Sequence, residues 1–398
     1  MTFREEFEAL RGKPIQMMAP AENVPCREIS DVTRLCKEPV VSVHMMAYCH
    51  EKYIAQAIES VMMQKADFEF ELVIGEDASP DRTREICFEY QRRYPERIRV
   101  LWSEENVFAI GGNETRITAA CRGEYIAFCE GDDYWTDPYK LQKQFDVMRK
   151  HPNVGLCFCD SYVKNEKTGA IVPWNCGAVF PHGEISGLRF ALMHLFGSNP
   201  LTAENDCSTL MTASVLLRRE LLVEAQQRFE VFSWNLLLSD TTIWLGLAFF
   251  SDVYFLPDKV SVYRRNEAGL TWNAIGPVCR DAMLVRVFFV LKGLNLSLQD
   301  VGVCFCDNIV RTCYAQQIGK TREECRKYLK DVQSTELFSS LFRRGRSFPI
   351  VFALKRGWAS RNFLNFFGRL YNRVFKCFSI PVKLQRLYDS ASSVSCEQ

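Results

Sequence analysis

The sequence predicts an α/β fold in which a mostly parallel β-sheet is flanked by helices. From residue 39 to residue 163, short apolar runs alternate with helix-forming segments of about 10–14 residues. The runs are apolar throughout instead of alternating with polar residues, so each predicts a strand buried on both faces. Sheets of this kind bind ligands beyond the carboxyl ends of their strands. We therefore expect functional residues directly after the strands.

Five strands and four helices are predicted in this part of the chain. Apolar residues at positions 54, 57, 58, 61 and 62 share one helical face, which predicts the first helix. Ser79 followed by Pro80 predicts the start of the second, because serine caps helices and proline fits their first turn. Gly111 precedes the third helix and Asp137 the fourth. The predicted strands are residues 40–46, 70–75, 98–102, 125–129 and 154–160.

The composition is that of an ordinary folded protein. Of 398 residues, 47% are hydrophobic and 24% charged, which excludes a disordered chain and a bundle of membrane spans. The 17 cysteines are scattered through apolar runs without zinc-finger spacing, so we expect buried, reduced thiols. The N-terminus lacks a signal-peptide pattern, and no apolar run reaches the ~18 residues of a spanning helix. A cytoplasmic protein is expected.

Acidic residues follow two of the predicted strands. Glu76 and Asp77 end the second strand, and Glu130, Asp132 and Asp133 follow the fourth. Like charges this close raise one another's pKa and cost stability unless a cation neutralises them. Mg²⁺ and Mn²⁺ prefer oxygen ligands and commonly bridge carboxylates to substrate phosphates. The second cluster therefore predicts a metal site at Glu130, Asp132 and Asp133, with an ordinary polar turn as the alternative.

Four segments carry a family resemblance: VSVHMMAYCHEKYIAQAIESVMMQ, FELVIGEDASPDRT, EENVFAIGGNETR and GEYIAFCEGDDYWTDPYKLQKQ. In order and spacing they resemble the family-two glycosyltransferases of the glycosyltransferase-A fold, with a weaker match continuing to about Trp272. The resemblance implies a bacterial-type, inverting enzyme that uses Mn²⁺ or Mg²⁺. Such enzymes move a sugar from a nucleoside diphosphate, here most readily a UDP-sugar, to a hydroxyl of a glycan or lipid-linked oligosaccharide.

The resemblance also implies roles for individual residues. Asp132 matches the family's metal-binding carboxylate, with Glu130 and Gly131 completing the family's D-x-D position. Asp77 matches the position that recognises the base and ribose. The remaining residues implied to contact the nucleotide sugar are Ala47, Tyr48 and Glu51 in the loop after the first strand, and Asn113 and Arg116 in the third helix.

An inverting transfer needs a base that deprotonates the attacking hydroxyl. The resemblance implies Asp240, which heads an apolar segment predicted to be helical; helix capping is the alternative. Glu204 and Asp206 compete for the role.

The segment Tyr263-Arg264-Arg265-Asn266 stands where the family often has Tyr-Arg-x-His, with asparagine in place of a possible metal ligand. Arg264 or Arg265 could contact phosphate, with surface solvation as the alternative. The histidines are predicted to be structural, and they are His44, His50, His151, His182 and His194.

We predict three regions along the chain. Residues 1–38 form an N-terminal helix and linker. Residues 39–275 form the catalytic domain, with a nucleotide-sugar half at 39–163 and an acceptor half at 164–275. Residues 276–398 form a helical C-terminal region. Its basic tail, residues 337–388, holds 11 Lys or Arg, 12 aromatic residues and no acid.

The basic tail predicts an interfacial helix bound to an anionic membrane, with a helix packed on the catalytic domain as the alternative. We therefore expect a peripheral protein on the inner face of the cytoplasmic membrane, and no nucleic-acid partner.

Two other functions remain open at this point. A nucleotidyltransferase that makes a nucleotide sugar uses a similar sheet and metal carboxylates, but it usually has a Gly-rich loop after the first strand, and the loop here, AYCHEKY, lacks glycine. A catalytically inactive glycan-binding protein at the membrane surface is the other alternative, favoured by Glu130 and Asn266.

Overall fold

The computed structural model describes residues 4, 5, 8, 14–196, 210–229, 232, 235 and 239–266. The chain divides into two compact units. One consists of Met1–Pro14, Leu188–Ser208 and Ala274–Gln398, of which only part of one helix and a few N-terminal residues are described. The other, which we call the sheet unit, consists of Ile15–Gly187 and Thr209–Asn273 and carries the predicted site residues apart from the competing candidates Glu204 and Asp206.

Eleven described strands form one sheet in the order β1-β4-β3-β2-β5-β10-β7-β11-β6, with β8 paired to β7 and β9 to β11. Strands β2 to β5 are joined by parallel pairs. Strand β10 is antiparallel to both β5 and β7, and β7 is parallel to β11, so β2, β3, β4, β5, β7 and β11 all run the same way. The strands are β1 (Arg27–Ile29), β2 (Val41–Ala47), β3 (Phe70–Glu76), β4 (Ile98–Trp102), β5 (Tyr125–Phe128), β6 (Tyr134–Trp135), β7 (Val154–Asn165), β8 (Ile171–Trp174), β9 (Gly183–Ile185), β10 (Leu216–Arg218) and β11 (Asp252–Arg265).

Helices cover the sheet, and the central strands are buried along their whole length. Every residue of β3 is buried, and all but one of β2. The predicted α/β class with a mostly parallel sheet is confirmed. The described helices are α1 (Ile54–Met62), α2 (Thr83–Arg93), α3 (Gly112–Ala120), α4 (Lys140–Lys150), α5 (Gly187–Phe196), α6 (Arg219–Arg228) and α7 (Ser239–Ala248).

Two details differ from the sequence prediction. Helix α2 begins at Thr83 instead of near Ser79, because the Asp81 carboxylate accepts the Thr83 N–H at 3.0 Å while the Ser79 hydroxyl accepts the Cys49 N–H at 3.1 Å. The predicted linker also contributes to the sheet unit, since β1 pairs with β4 and Glu28 bonds Arg99 at 2.8 Å.

The predicted helical region 276–398, including its basic tail, lies outside the described residues, and the domain boundaries stay predictions. No helix in the described part of the chain is long and apolar enough to span a bilayer. The nine cysteines in that part are all free, and six are buried, as expected for reduced thiols.

Acid should destabilise the protein through His44, which is 1% exposed and packs against Phe128. Burial lowers the pKa of His44 from 6.5 to about 4. Between these values the unfolded chain binds a proton that the folded chain does not, so stability falls as pH drops from about 6.5 to 4, by about 3 kcal/mol. We expect His44→Phe to make the free energy of unfolding, measured with urea, depend less on pH between about 4 and 6.5. The exposed control His182→Gln should keep the wild-type slope.

Candidate active site

The loops after β2, β3 and β5 meet at one edge of the sheet. The Asp77 N–H bonds the Ala47 carbonyl at 3.1 Å, and the Gly131 N–H bonds the Met46 carbonyl at 2.9 Å. Side-chain contacts add to this, because the hydroxyls of Ser79 and Thr83 accept backbone N–H groups of the β2 loop. The strand ends that carry the predicted residues are therefore held together as one framework.

Glu130 is a half-buried member of the acidic cluster after β5. Its carboxylate accepts the Met46 N–H at 3.4 Å. Burial, followed by the charge of Asp132, raises the pKa of Glu130 to about 8. The site therefore concentrates negative charge that a cation would relieve.

Asp132 is the partly open member, with its side chain 19% exposed. Its Oδ2 accepts a hydrogen bond from the Asn266 amide at 3.0 Å and lies 3.9 Å from Nε2 of His50. Burial lowers the pKa of His50 against the opposing effect of Asp132. The prediction treated His50 as structural, but the structure places its ring beside the proposed metal carboxylate. Its position in the loop directly after β2 was the available signal.

Asp133 has a structural role in the loop after β5. It is 3% exposed, and its carboxylate accepts the Arg264 N–H at 2.8 Å. Burial, together with Asp132, raises the pKa of Asp133 well above its usual range. Within the described ranges no group of three or more His, Cys, Asp and Glu side chains could hold an ion. The predicted metal site at Glu130, Asp132 and Asp133 stays a prediction, and the Asp133 carboxylate is already engaged by the Arg264 N–H.

Arg264 fixes the same loop from β11. Its guanidinium donates to the Asp132 carbonyl and to Gln56, and its Nε lies 3.0 Å from the Glu166 carboxylate. The guanidinium also lies over the rings of Tyr53 and Tyr134, at 5.0 and 4.5 Å. The Arg264 side chain is 3% exposed and engaged by protein groups, and its predicted contact with phosphate stays a prediction.

Asp77 lies under the segment that follows β4. Its carboxylate accepts the Val107 N–H at 2.8 Å and stands 3.8 Å from the Arg116 guanidinium. Burial raises the pKa of Asp77, while Val107 and Arg116 act in the opposite direction. Base recognition by Asp77 stays a prediction.

Arg116 and Asn113 form a buried layer beneath Asp77. The guanidinium donates to Asn113 Oδ1 at 2.9 Å, Ser103 Oγ at 2.9 Å and the Glu76 carbonyl at 2.7 Å. Asn113 donates in turn to the Gly75 carbonyl at 2.9 Å. Both hold the ends of β3 and β4. Their expected place near the diphosphate and base side of the pocket stays a prediction.

The loop after β2 exposes one aromatic side chain. Tyr48 is 46% exposed, whereas Ala47 before it is buried. Glu51 faces the start of α2, where its carboxylate accepts the Arg82 N–H at 3.2 Å. Cys49 and Ala78 have left-handed backbone angles, with φ of 57° and 56°. Such angles are uncommon in residues with a side chain and tend to mark functional turns.

Asp240 lies in the first turn of α7, as predicted. Its Oδ2 accepts the Thr212 hydroxyl at 3.2 Å, and Oδ1 accepts the Thr241 N–H at 2.6 Å. Its charge contributes to the raised pKa of Glu130, so the two carboxyl groups share one electrostatic environment. The helix N-terminus favours the ionised form of Asp240. The competing Glu204 and Asp206 lie outside the described residues.

Removing the Arg116 guanidinium should destabilise the sheet unit strongly. In Arg116→Met, the buried Asp77 carboxylate loses its 3.8 Å partner, a change that typically costs about 3–5 kcal/mol. Urea unfolding followed by tryptophan fluorescence measures this loss. The control Arg82→Met removes an exposed pair with Glu85 and should change stability by less than about 0.5 kcal/mol. Equal stability of the two variants would contradict the structural role of Arg116.

Comparison with known proteins agrees with this geometry. Residues 42–215 match the model of the family described as Glycosyl transferase family 2. An uncharacterized protein of Mycobacterium tuberculosis is 29% identical over 236 residues, covering 59% of this chain and 61% of that protein. A Bacillus subtilis protein named as a teichuronic acid biosynthesis glycosyltransferase, TuaG, is 36% identical over 111 residues, covering 28% of this chain and 42% of its own length. The chain thus spans less than two thirds of these curated relatives.

Among solved structures, S. aureus TarS 1-349 in complex with UDP shares the fold. The TM-score is 0.52 at 20% identity, covering 80% of this chain and 87% of the other. The family match spans the acidic residues at the ends of both β3 and β5, on a sheet of the expected topology. Residues 42–215 of the chain are therefore similar to the family-two glycosyltransferases.

Proposed function

We propose that this chain is a metal-dependent, inverting glycosyltransferase that moves a sugar from a nucleoside diphosphate to the hydroxyl of a glycan or lipid-linked oligosaccharide. The observation that carries the proposal is the Asp132–Glu130 cluster at the carboxyl end of the sheet. There the partly open carboxylate of Asp132 stands beside the half-buried carboxylate of Glu130, whose pKa is raised to about 8. Negative charge is concentrated at the carboxyl ends of the strands, where such sheets bind ligands, and a bound cation would stabilise it.

The residues present fit Mn²⁺ or Mg²⁺. These ions are usually held by one or two carboxylates together with substrate phosphates, so Asp132, with Glu130 beside it, is a sufficient protein contribution. Bound there, the ion would stabilise the negative charge that develops on the leaving diphosphate. Arg264 and Asn266 hold Asp132 in position from β11.

Asp240 is the proposed base. In the ionised state favoured by the helix terminus, it would accept the proton of the acceptor hydroxyl as that oxygen attacks the sugar. Tyr48, exposed after β2, and Asp77 are proposed to contact the base and ribose of the donor. A UDP-sugar is the proposed donor, supported by the UDP named for the TarS complex of the same fold.

Hydrolysis of nucleotide sugars tests the function directly, because an active transferase leaks donor to water. We expect the full-length chain with Mn²⁺ to release UDP from at least one UDP-sugar, and chelation to stop the release. Synthesis of a nucleotide sugar from a sugar phosphate would instead establish the nucleotidyltransferase alternative. Donor binding without turnover, even with glycan acceptors, would favour the inactive glycan-binding protein.

We further propose that the basic tail, residues 337–388, binds the inner face of the cytoplasmic membrane, where lipid-linked acceptors are available. Its 11 bases stand among 12 aromatic residues without an acid. The full-length chain should therefore sediment with anionic vesicles at low salt and be released at high salt, because salt screens exposed charges over ~8–10 Å. Retention in the supernatant at low salt would contradict membrane binding.

A matched pair of variants locates the membrane contact. Each variant replaces three basic residues with glutamine, so both change the net charge equally. The tail variant changes Arg369, Arg373 and Lys376, and its sedimentation with vesicles should weaken. The control variant changes the exposed Arg82, Arg92 and Arg149 of the sheet unit and should sediment like the wild type.

A further inference from the structure

We propose that His50 supplies an imidazole nitrogen to the divalent cation at Asp132. This rests on the proposed metal-dependent function and adds a protein ligand that the family resemblance does not provide. Asn266, at the position where the family often has histidine, donates its amide to Asp132 Oδ2 at 3.0 Å and so acts as a hydrogen-bond donor to the carboxylate.

The distance between His50 and Asp132 suits two ligands of one ion. Nε2 of His50 lies 3.9 Å from Oδ2 of Asp132, which is too long for a hydrogen bond. With metal–ligand distances of about 2.1 Å, two ligands of the same ion stand between about 3 and 4.2 Å apart, depending on the angle at the metal. The observed separation falls within that interval.

The backbone holds the His50 ring against the acidic loop. The His50 N–H donates to Thr83 Oγ1 at 2.8 Å, and the His50 carbonyl accepts the N–H of Ile54 at 2.8 Å at the start of α1. A Cβ at Gly131 would come within 2.7 Å of His50 Nδ1. Only glycine at that position therefore lets the imidazole approach so closely.

The two ring nitrogens of His50 lie in different surroundings. Its Nδ1 is buried and makes no hydrogen bond within the described residues. The side chain is 20% exposed, so Nε2 stands at the same partly open surface as Asp132.

Pulsed electron paramagnetic resonance of Mn²⁺ tests the ligand. The full-length chain is loaded with Mn²⁺ and UDP, once with natural histidine and once with ¹⁵N-histidine. We expect a nitrogen coupling from directly bound imidazole that changes from ¹⁴N to ¹⁵N with the label. In His50→Gln the coupling should disappear and Mn²⁺ affinity should fall by about tenfold or more, since loss of even an outer partner of a metal ligand typically costs 10–100-fold.

His151→Gln is the matched control, because His151 pairs with Glu184 and not with the acidic cluster. It should keep both the coupling and the affinity. Absence of histidine coupling in the wild-type complex would overturn the proposal without any variant. Persistence of the coupling in His50→Gln would overturn it as well. If either result is obtained and the chain still hydrolyses UDP-sugar with Mn²⁺, the proposed function stands and only His50 as a metal ligand is excluded. If Mn²⁺ neither binds nor supports hydrolysis, both proposals fail.

Discussion

Asp132→Asn is expected to lower metal-dependent donor hydrolysis by about 10³-fold or more. The substitution removes the charge of the partly open carboxylate that is proposed to hold the ion. Metal stabilisation of a leaving group is worth several kcal/mol, and each 1.36 kcal/mol is about tenfold in rate. Mn²⁺ binding in the presence of UDP should weaken in parallel. Turnover with and without chelator measures the first effect, and the concentration of free Mn²⁺ by spin resonance measures the second.

The fold should survive this change. Asparagine is nearly isosteric with aspartate, and its carbonyl can still accept the Asn266 amide, which bonds Asp132 at 3.0 Å. The melting temperature should therefore stay close to that of wild type. Asp146→Asn, which removes a carboxylate from the exposed side of α4 near Arg149, is the charge-matched control and should retain activity. Unchanged turnover in Asp132→Asn would exclude the metal assignment.

Asp240→Asn should slow the chemical step by about 10²–10⁴-fold while leaving donor and Mn²⁺ binding intact, because a positioned base typically contributes that factor. Single-turnover kinetics at saturating donor separate the chemical step from binding. Asparagine can still accept the Thr241 N–H, whose bond to Asp240 is 2.6 Å, so this contact in the first turn of α7 is kept.

The helix-capping alternative makes a different prediction for the same residue. If Asp240 only caps α7, Asp240→Asn should behave as wild type, and Asp240→Ala should lose about 1 kcal/mol of stability. If donor affinity falls while the chemical rate is preserved, Asp240 belongs to the donor site instead.

The strands and helices between residues 39 and 163 could be predicted because burial on both faces leaves apolar runs of strand length, such as β2 and β3. The carboxylates directly after β3 and β5 could also be predicted as site residues, because such sheets bind ligands beyond the carboxyl ends of their strands. What the sequence could not show is the direction in which each polar side chain points. Asp133 and Arg264 are charged residues of the kinds found in active sites. In the structure both are buried, and the Asp133 carboxylate accepts the backbone N–H of Arg264.

The converse error concerns His50, which looks like an ordinary loop histidine in the sequence. Its nearness to Asp132 depends on two loops that are distant in the chain and are brought together by the β2–β5 pairing and by the bonds of the β5 loop to Met46. Arg116 shows the same limit, because its partners come from several segments, among them the Pro25 carbonyl at 3.2 Å, which no local pattern reveals.

The bond between Asp133 and the Arg264 N–H joins positions 131 residues apart. The family match ends at residue 215, long before β11 begins at Asp252. A fragment trimmed to the matched segment would contain every acidic residue of the β5 loop but would leave the Asp133 carboxylate without its buried donor, at a cost of about 1–3 kcal/mol. During synthesis, this loop can therefore reach its working geometry only after β11 has emerged and docked, which makes it one of the last parts of the sheet unit to mature.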